Sequence, residues 1–257
     1  MQKGICLLNI MPLRAHPSST SEMVTQLLFG ETYEVMEEVE DWVKINTTSE
    51  NYLGWLSKNQ ISNWNECSED LLLLRNFPYT LAINQLNNSF HYLLPGSILH
   101  QFKYSDSRST FEINSNTYEL KLAPNEMISL PFHEIGNYAS LFLNAPYLWG
   151  GRSMWGIDCS GFTQLLFKVT GVQLPRDAYQ QAELGEPVDF VNETKMGDLA
   201  FFENEAGKIS HVGMILEPGE IIHASGMVRR DVFDSYGIFN ENLGKHTHKL
   251  RLIKRYL

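Results

Sequence analysis

Apolar positions in the first quarter of the chain come in short runs that alternate with polar ones. The segments GICLLNI (4–10), YEVMEEVEDWVKINT (33–47) and YLGWLS (52–57) carry Val35, Val39, Val43 and Ile45, with Tyr33, Trp42 and Trp55, and predict the strands of a small barrel. SEMVTQLLFGE (21–31) has apolar residues enough for a short helix, but Gly30 and the short flanks predict a loop followed by a strand. Residues 66 to about 135 repeat the style more weakly in LLLLRN, FHYLLPGSILHQFKY, STFEINSNTYELKL and EMISLP. Their Asn-rich turns predict a second small all-β module, with no sequence repeat linking it to the first. Near 138 the period changes. Phe162, Leu165, Leu166 and Val169 fall at i, i+3, i+4 and i+7, predicting an α-helix that Asp158 caps and Gly171 stops. HVGMIL (211–216) and EIIHAS (220–225) predict two strands joined at Pro218-Gly219.

Composition narrows the class. The 257 residues are 43% hydrophobic and 19% charged, as in ordinary folded domains, and the formal net charge of −10 excludes a basic nucleic-acid surface. No apolar run approaches the roughly 20 residues that span a bilayer. The start, MQKGICLLNIMPLRAHPSS, is interrupted by Asn9, Pro12 and Arg14, so it predicts a folded strand from near residue 4 rather than a signal peptide, and hence a cytoplasmic location. Three cysteines without CxxC spacing make no disulfide framework; Cys6, in an apolar run, and Cys67, in a polar one, read as unremarkable thiols.

The remaining cysteine opens the predicted helix. Cys159 falls in its first turn, where unpaired N–H groups and the helix dipole favour an anion, which predicts a stabilised thiolate and a more nucleophilic sulfur. Position alone suits a packing role equally well. His211 and His223 tip the balance, because a hairpin at 218–219 brings them to roughly facing positions, offset by a few residues. Two imidazoles presented together make a base and a group that orients it, completing a Cys–His–third-residue arrangement. A zinc site of Cys159, His211 and His223 is the competing reading, disfavoured because close ligand pairs such as CxxC, HxxxH or HExxH are missing. Upstream, Tyr147, Trp149 and Trp155 with the neighbouring glycines either wall a substrate cleft or fill core. In LPRDAYQQ (174–181), Arg176 either meets a substrate carboxylate or is a surface charge, and Asp177 predicts the cap of another helix.

In order and spacing YLWGG, DCSGF, LPRDA, GDLAFF, HVGMIL and IIHASG, from Pro146 to Gly226, resemble the motifs of the NlpC-type cell-wall cysteine peptidases. The resemblance implies an α+β fold, with a papain-like catalytic domain in which a helix-start cysteine packs against a sheet bearing the histidines. It implies Cys159 as nucleophile, His211 as general base, His223 as the group orienting it and Tyr147 near the oxyanion site. LRAHPSSTSEMVTQLLFGETYEV (13–35), DWVKI and YLGWL resemble a bacterial SH3-like domain, of the type that precedes the catalytic domain in the YkfC-like subgroup. Two such domains are usual there, which gives an expected organisation of SH3-like domains at 1–64 and 65–137 and a peptidase domain at 138–257. By the same resemblance Glu22 and Tyr52 hold the substrate's ammonium, with Asp158 and Ser160 lining the subsite. Carboxylates and hydroxyls are the acceptors an ammonium needs. Without the resemblance Glu22 and Tyr52 read as surface residues. Trp149, Arg176 and Asp177 complete the expected substrate-binding set.

The implied function is hydrolysis of the γ-D-Glu–L-diamino-acid bond in peptidoglycan stem peptides bearing a free N-terminal L-Ala. That reaction releases L-Ala-γ-D-Glu for murein peptide recycling, with no cofactor or metal and no nucleic-acid or membrane partner. Its rivals are an NlpC-type amidase or acyltransferase of other specificity, and a wall-binding protein that has lost catalysis.

Overall fold

The computed structural model describes residues 2–64, 71–105, 108–121 and 130–257. Cys67 and most of EMISLP lie outside the described residues, as does the expected break after residue 64. The chain divides into two compact units, Met1–Ser129 and Leu130–Leu257.

In the first unit β1 (Lys3–Ile5), β2 (Ile10–Arg14), β3 (Met23–Leu28), β4 (Thr32–Val39), β5 (Trp42–Thr47) and β6 (Leu53–Ser57) pair antiparallel in the order β1-β4-β5-β6-β2-β3. GICLLNI is therefore two strands rather than one. Cys6 leaves the ladder to accept from the Gly30 N–H at 2.8 Å and donate its own N–H to the Glu31 carbonyl at 2.9 Å. Alternating side chains Met11, Leu13, Leu27, Tyr33, Val43, Ile45 and Leu56 fill this strand-rich barrel, as the period of two requires. SEMVTQLLFGE forms a loop and then β3, in line with the reading from Gly30.

The following strands are β7 (Leu71–Leu73), β8 (Thr80–Asn84), β9 (Phe90–Leu93), β10 (Ile98–His100), β11 (Lys103–Ser105), β12 (Arg108–Ile113) and β13 (Asn116–Leu120). They form a sheet ordered β11-β12-β13-β8-β9 and a separate pair, β10-β7. Their core is not private to them. Ile5, Phe29 and Trp64 pack in one cluster with Leu93, Leu99, Phe111, Ile113 and Tyr118. At that seam Gly30 has φ +82°, and a Cβ there would lie 1.8 Å from the Ile98 carbonyl oxygen. The Ile98 N–H donates to the Phe29 carbonyl at 2.9 Å and the His100 Nε2 lies 2.8 Å from the Gly30 carbonyl.

The second unit contains α1 (Ile135–Ser140), a small ladder of β14 (Arg152–Ser153) and β15 (Gly156–Ile157), α2 (Cys159–Val169) and α3 (Ala178–Gln181). It continues with β16 (Glu186–Pro187), β17 (Leu199–Glu203), β18 (Ile209–Glu217), β19 (Glu220–Ser225), β20 (Met227–Asp234), β21 (Gly237–Asn240) and β22 (Lys245–Arg255). The sheet runs β16-β22-β17-β18-β19-β20-β21, and β22 also pairs with β21, closing it on itself. Inside lie Ala200, Phe202, Ile215, Ile221, Phe233, Ile238 and Ile253. The alternate residues Phe201, Val212, Met214, Ile222 and Ala224 are also buried, on the face that meets α2. Burial extends all round α2, not just along the predicted stripe: Phe167 and Thr163 are as inaccessible as Phe162 and Leu166. Each such Phe or Leu contributes roughly 1.5–3 kcal/mol, so packing, more than helix propensity, fixes where α2 begins. Among the described residues no helix is long and apolar enough to cross a membrane.

The shared core of the first unit predicts that Gly30→Ala destabilises it by at least about 2 kcal/mol, from left-handed backbone strain plus the clash with Ile98. Denaturant unfolding followed through tryptophan fluorescence checks this. A variant as stable as the parent would show that the seam does not hold the two β modules together.

Candidate active site

Asp158 organises the start of α2. Its φ of −93° and ψ of 176° are those of an N-cap, and its carboxylate accepts the Gly161 N–H at 2.7 Å and the Gly150 N–H at 2.8 Å. Arg176 meets the same carboxylate through two bonds, Nη1 to Oδ1 at 3.0 Å and Nη2 to Oδ2 at 2.6 Å, and donates to the Ser160 Oγ at 2.9 Å. At 2% exposure Arg176 is no surface charge, and its guanidinium is engaged by Asp158 and Ser160, not presented to a substrate carboxylate. The sequence could not reveal this, because the partner lies 18 residues upstream. Gln181 ties the same region, donating to the Ser160 carbonyl at 3.1 Å and the Pro175 carbonyl at 2.9 Å while accepting from Thr163 at 2.8 Å. Asp177 is the N-cap residue of α3, and its N–H donates to the Gln180 side chain at 3.3 Å.

Cys159 follows as the first residue of α2, 6% exposed. The hairpin of β18 and β19, turning at Pro218-Gly219, brings the two predicted histidines together: His211 Nε2 lies 2.8 Å from His223 Nδ1. The offset is two residues, because His223 is paired with Gly213. A Cβ at position 213 would stand 2.8 Å from that of His223, so glycine there opens the space through which the His223 ring reaches His211. Three participants were not visible in the sequence. His223 Nε2 lies 2.9 Å from Asp231 Oδ2, and Arg229 Nη2 donates to Asp231 Oδ1 at 2.7 Å. His248, from β22, stacks on His211 with ring centroids 4.2 Å apart. Asp231 stands in the charge-rich string VRRDVFD, and only the β19–β20 pairing turns it towards His223.

Electrostatics here departs from the helix-terminus expectation. Burial, reinforced by the Asp158 carboxylate, pushes the Cys159 thiol up to about 12, against the lowering pull of the Val212 and Ser160 backbone N–H groups and Arg176. The positive end of the helix is already occupied by Asp158. Burial, then the neighbouring His223 and His248 rings, holds His211 well below the ordinary imidazole value. Burial also brings His248 down to about 4. The resting pair is thus a neutral thiol and a neutral imidazole. Tyr147 is half-buried, and its phenol is pushed up by burial and then by Cys159 and Asp158, which places its ring within their field. Trp149 is 57% exposed. In the first unit Glu22 is exposed just ahead of β3, while Tyr52 is partly buried against the barrel core, not a plain surface residue.

The profile of the NlpC/P60 family matches residues 144–245, and that of the bacterial dipeptidyl-peptidase Sh3 domain matches residues 13–61. The gamma-D-glutamyl-L-lysine dipeptidyl-peptidase of Bacillus subtilis is 30% identical over 219 residues, covering 78% of this chain and 71% of that protein. Dipeptidyl-peptidase 6 of Lysinibacillus sphaericus is 29% identical over 238 residues, covering 83% of this chain and 84% of the relative. A crystal structure of an NlpC/P60 family protein from Bacillus cereus superimposes with a TM-score of 0.83 at 20% identity, over 99% of both chains, a likeness of fold.

A raised thiol value means that Cys159 is protonated at neutral pH and ionises only as pH rises. Its alkylation by iodoacetamide, corrected with Cys159→Ser, should stay slow through pH 6–8 and climb at alkaline pH. A fast plateau at neutral pH would instead reveal a preformed thiolate–imidazolium pair.

Proposed function

This chain belongs to the NlpC/P60 family of cysteine peptidases, and we propose that it hydrolyses the γ-D-Glu–L-diamino-acid bond of peptidoglycan-derived peptides with a free N-terminal L-Ala, releasing L-Ala-γ-D-Glu. The observation that carries the reading is the pairing of buried His211 and His223, with the Val212 backbone next to His211 acting on the Cys159 sulfur in the first turn of α2. The names of the relatives, gamma-D-glutamyl-L-lysine dipeptidyl-peptidase and dipeptidyl-peptidase 6, support the choice of bond. The reading includes a papain-like peptidase domain over 138–257 behind two SH3-like domains, at 1–64 and 65–137, and a place in murein peptide recycling.

The chemistry follows from the neutral resting pair. With Nε2 of His211 committed to His223, Nδ1 is the nitrogen that exchanges a proton with the thiol. It takes that proton as the sulfur attacks the γ-amide carbonyl carbon. The oxyanion is received by the Cys159 backbone N–H, which has no partner inside the helix, and by the Tyr147 hydroxyl, kept protonated by its surroundings. The C–N bond then breaks as His211 returns its proton to the departing amine, leaving a thioester. Water adds with its proton going to Nδ1, and collapse releases the dipeptide carboxylate and restores the thiol. Asp158 and Arg176 act by fixing the cysteine's approach, and Trp149 offers an exposed apolar wall to substrate. Glu22 and Tyr52 are nominated for the substrate ammonium by the family resemblance.

The test is L-Ala-γ-D-Glu-L-Lys, its diaminopimelate counterpart and their N-acetylated forms, with dipeptide release followed by mass spectrometry. Only the free-amine peptides should be cut. Cys159→Ala should abolish release, and His211→Ala should lower kcat by roughly 10²- to 10⁴-fold. Equal cleavage of acetylated peptides would overturn the free-amine specificity, and release by Cys159→Ala would overturn the nucleophile.

A further inference from the structure

Resting on the reading of Cys159 as nucleophile and His211 as base, we propose that Asp231, held by Arg229, is a positioning residue that sets which nitrogen of each imidazole carries its proton, leaving the lone pair of His211 on Nδ1. An ionised carboxylate can only accept hydrogen bonds. At 2.9 Å from Asp231 Oδ2, His223 must therefore carry its proton on Nε2. In the neutral ring Nδ1 is then bare, and Nδ1 is the atom 2.8 Å from His211 Nε2. His211 must donate there, and its own Nδ1 is left as the base. One carboxylate thus fixes two tautomers in series.

Asp231 is equipped to stay ionised. Arg229 Nη2 donates to its Oδ1 at 2.7 Å, and Arg229 Nε lies 2.7 Å from its Oδ2. Burial draws the carboxyl upward, but the bonds from His223 and Arg229 outweigh it, and the group lies below its ordinary value. The reverse arrangement would set a bare nitrogen against a bare carboxylate oxygen at 2.9 Å. The same chain serves the reaction when His211 becomes an imidazolium, because a buried carboxylate two rings away stabilises that charge. His248 on β22 faces the relay, stacked on His211 and edge-on to His223, and Cys159 on α2 is reached by the Val212 backbone next to His211. Glu220 and Arg230, paired at 3.4 Å, and Glu241 line the shallow recess beside Asp231.

Asp231→Asn makes the idea testable. Arg229 Nη2, which makes the guanidinium's hydrogen bond to the Oδ1 position, keeps the amide oxygen there; this turns the amide NH₂ towards His223 Nε2 and reverses both tautomers, leaving a proton on His211 Nδ1 where the base should be. Two-bond ¹H–¹⁵N spectra of the full chain should show His211 and His223 both protonated on Nε2 in the parent, and both on Nδ1 in Asp231→Asn. The variant should lose about 10²- to 10⁴-fold in kcat with KM unchanged. Adding Arg229→Met frees the amide to turn back and should recover part of the loss. Parent His223 protonated on Nδ1 would overturn the proposal whether or not any variant folds. So would an Asp231→Asn enzyme with the parent's tautomers and kcat. Failure of the underlying reading appears separately, as hydrolysis by Cys159→Ala.

Discussion

The second unit is organised around one buried carboxylate. Asp158 caps α2, anchors the glycine turn at Gly150 and receives both arms of Arg176. A buried ion pair of this kind adds little net stability relative to a well-packed apolar pair, but removing one partner typically costs about 3–5 kcal/mol, because a charge is stranded. Its consequence is therefore geometric. These bonds converge on a single residue, and the next residue in the chain is the cysteine. Gly161 packs flush against this junction, since a Cβ there would lie 2.4 Å from the Gly151 carbonyl oxygen and 2.9 Å from Asp158 Oδ1.

The same arrangement limits the nucleophile. Burial holds the thiol protonated, and a carboxylate at the helix N-cap adds to the effect by taking the place that would otherwise stabilise a thiolate. Activation then falls to His211, which burial holds neutral against the Phe202 ring. Its hydrogen bond to His223 transmits orientation from one ring to the next. Hydrogen bonds join each successive pair in the buried polar chain from His211 through His223 to Asp231 and Arg229, and in a low-dielectric site such joined groups strengthen one another.

The first unit obeys a different constraint. Its β modules are small, and small modules bury too little apolar surface to be stable alone. Sharing Ile5, Phe29 and Trp64 with the second module's Phe111 and Tyr118 enlarges the core, at the cost of a seam tight enough to demand glycine at position 30.

Much of this was legible in the sequence, for reasons of range. Alternating residues placed β4 through β6, and i, i+3, i+4, i+7 spacing with Asp158 and Gly171 bracketed α2, because such signals are local and repeat within a few residues. The hairpin that joins His211 to His223 was equally local, since Pro218-Gly219 lies between them. What the sequence left open involved partners separated by pairing across strands or by long chain separation. Arg176 reads equally as a substrate contact or a surface charge until it is seen against Asp158; Asp231 gives no local signal until β20 pairs with β19. His248 lies 37 residues from His211 (248 − 211 = 37) and meets it only because the sheet closes through β22. Protonation states followed the same rule. The local sequence argues for a thiolate from the helix end, whereas tertiary burial decides for the thiol, because desolvation of a charge outweighs the partial charge of one helix terminus.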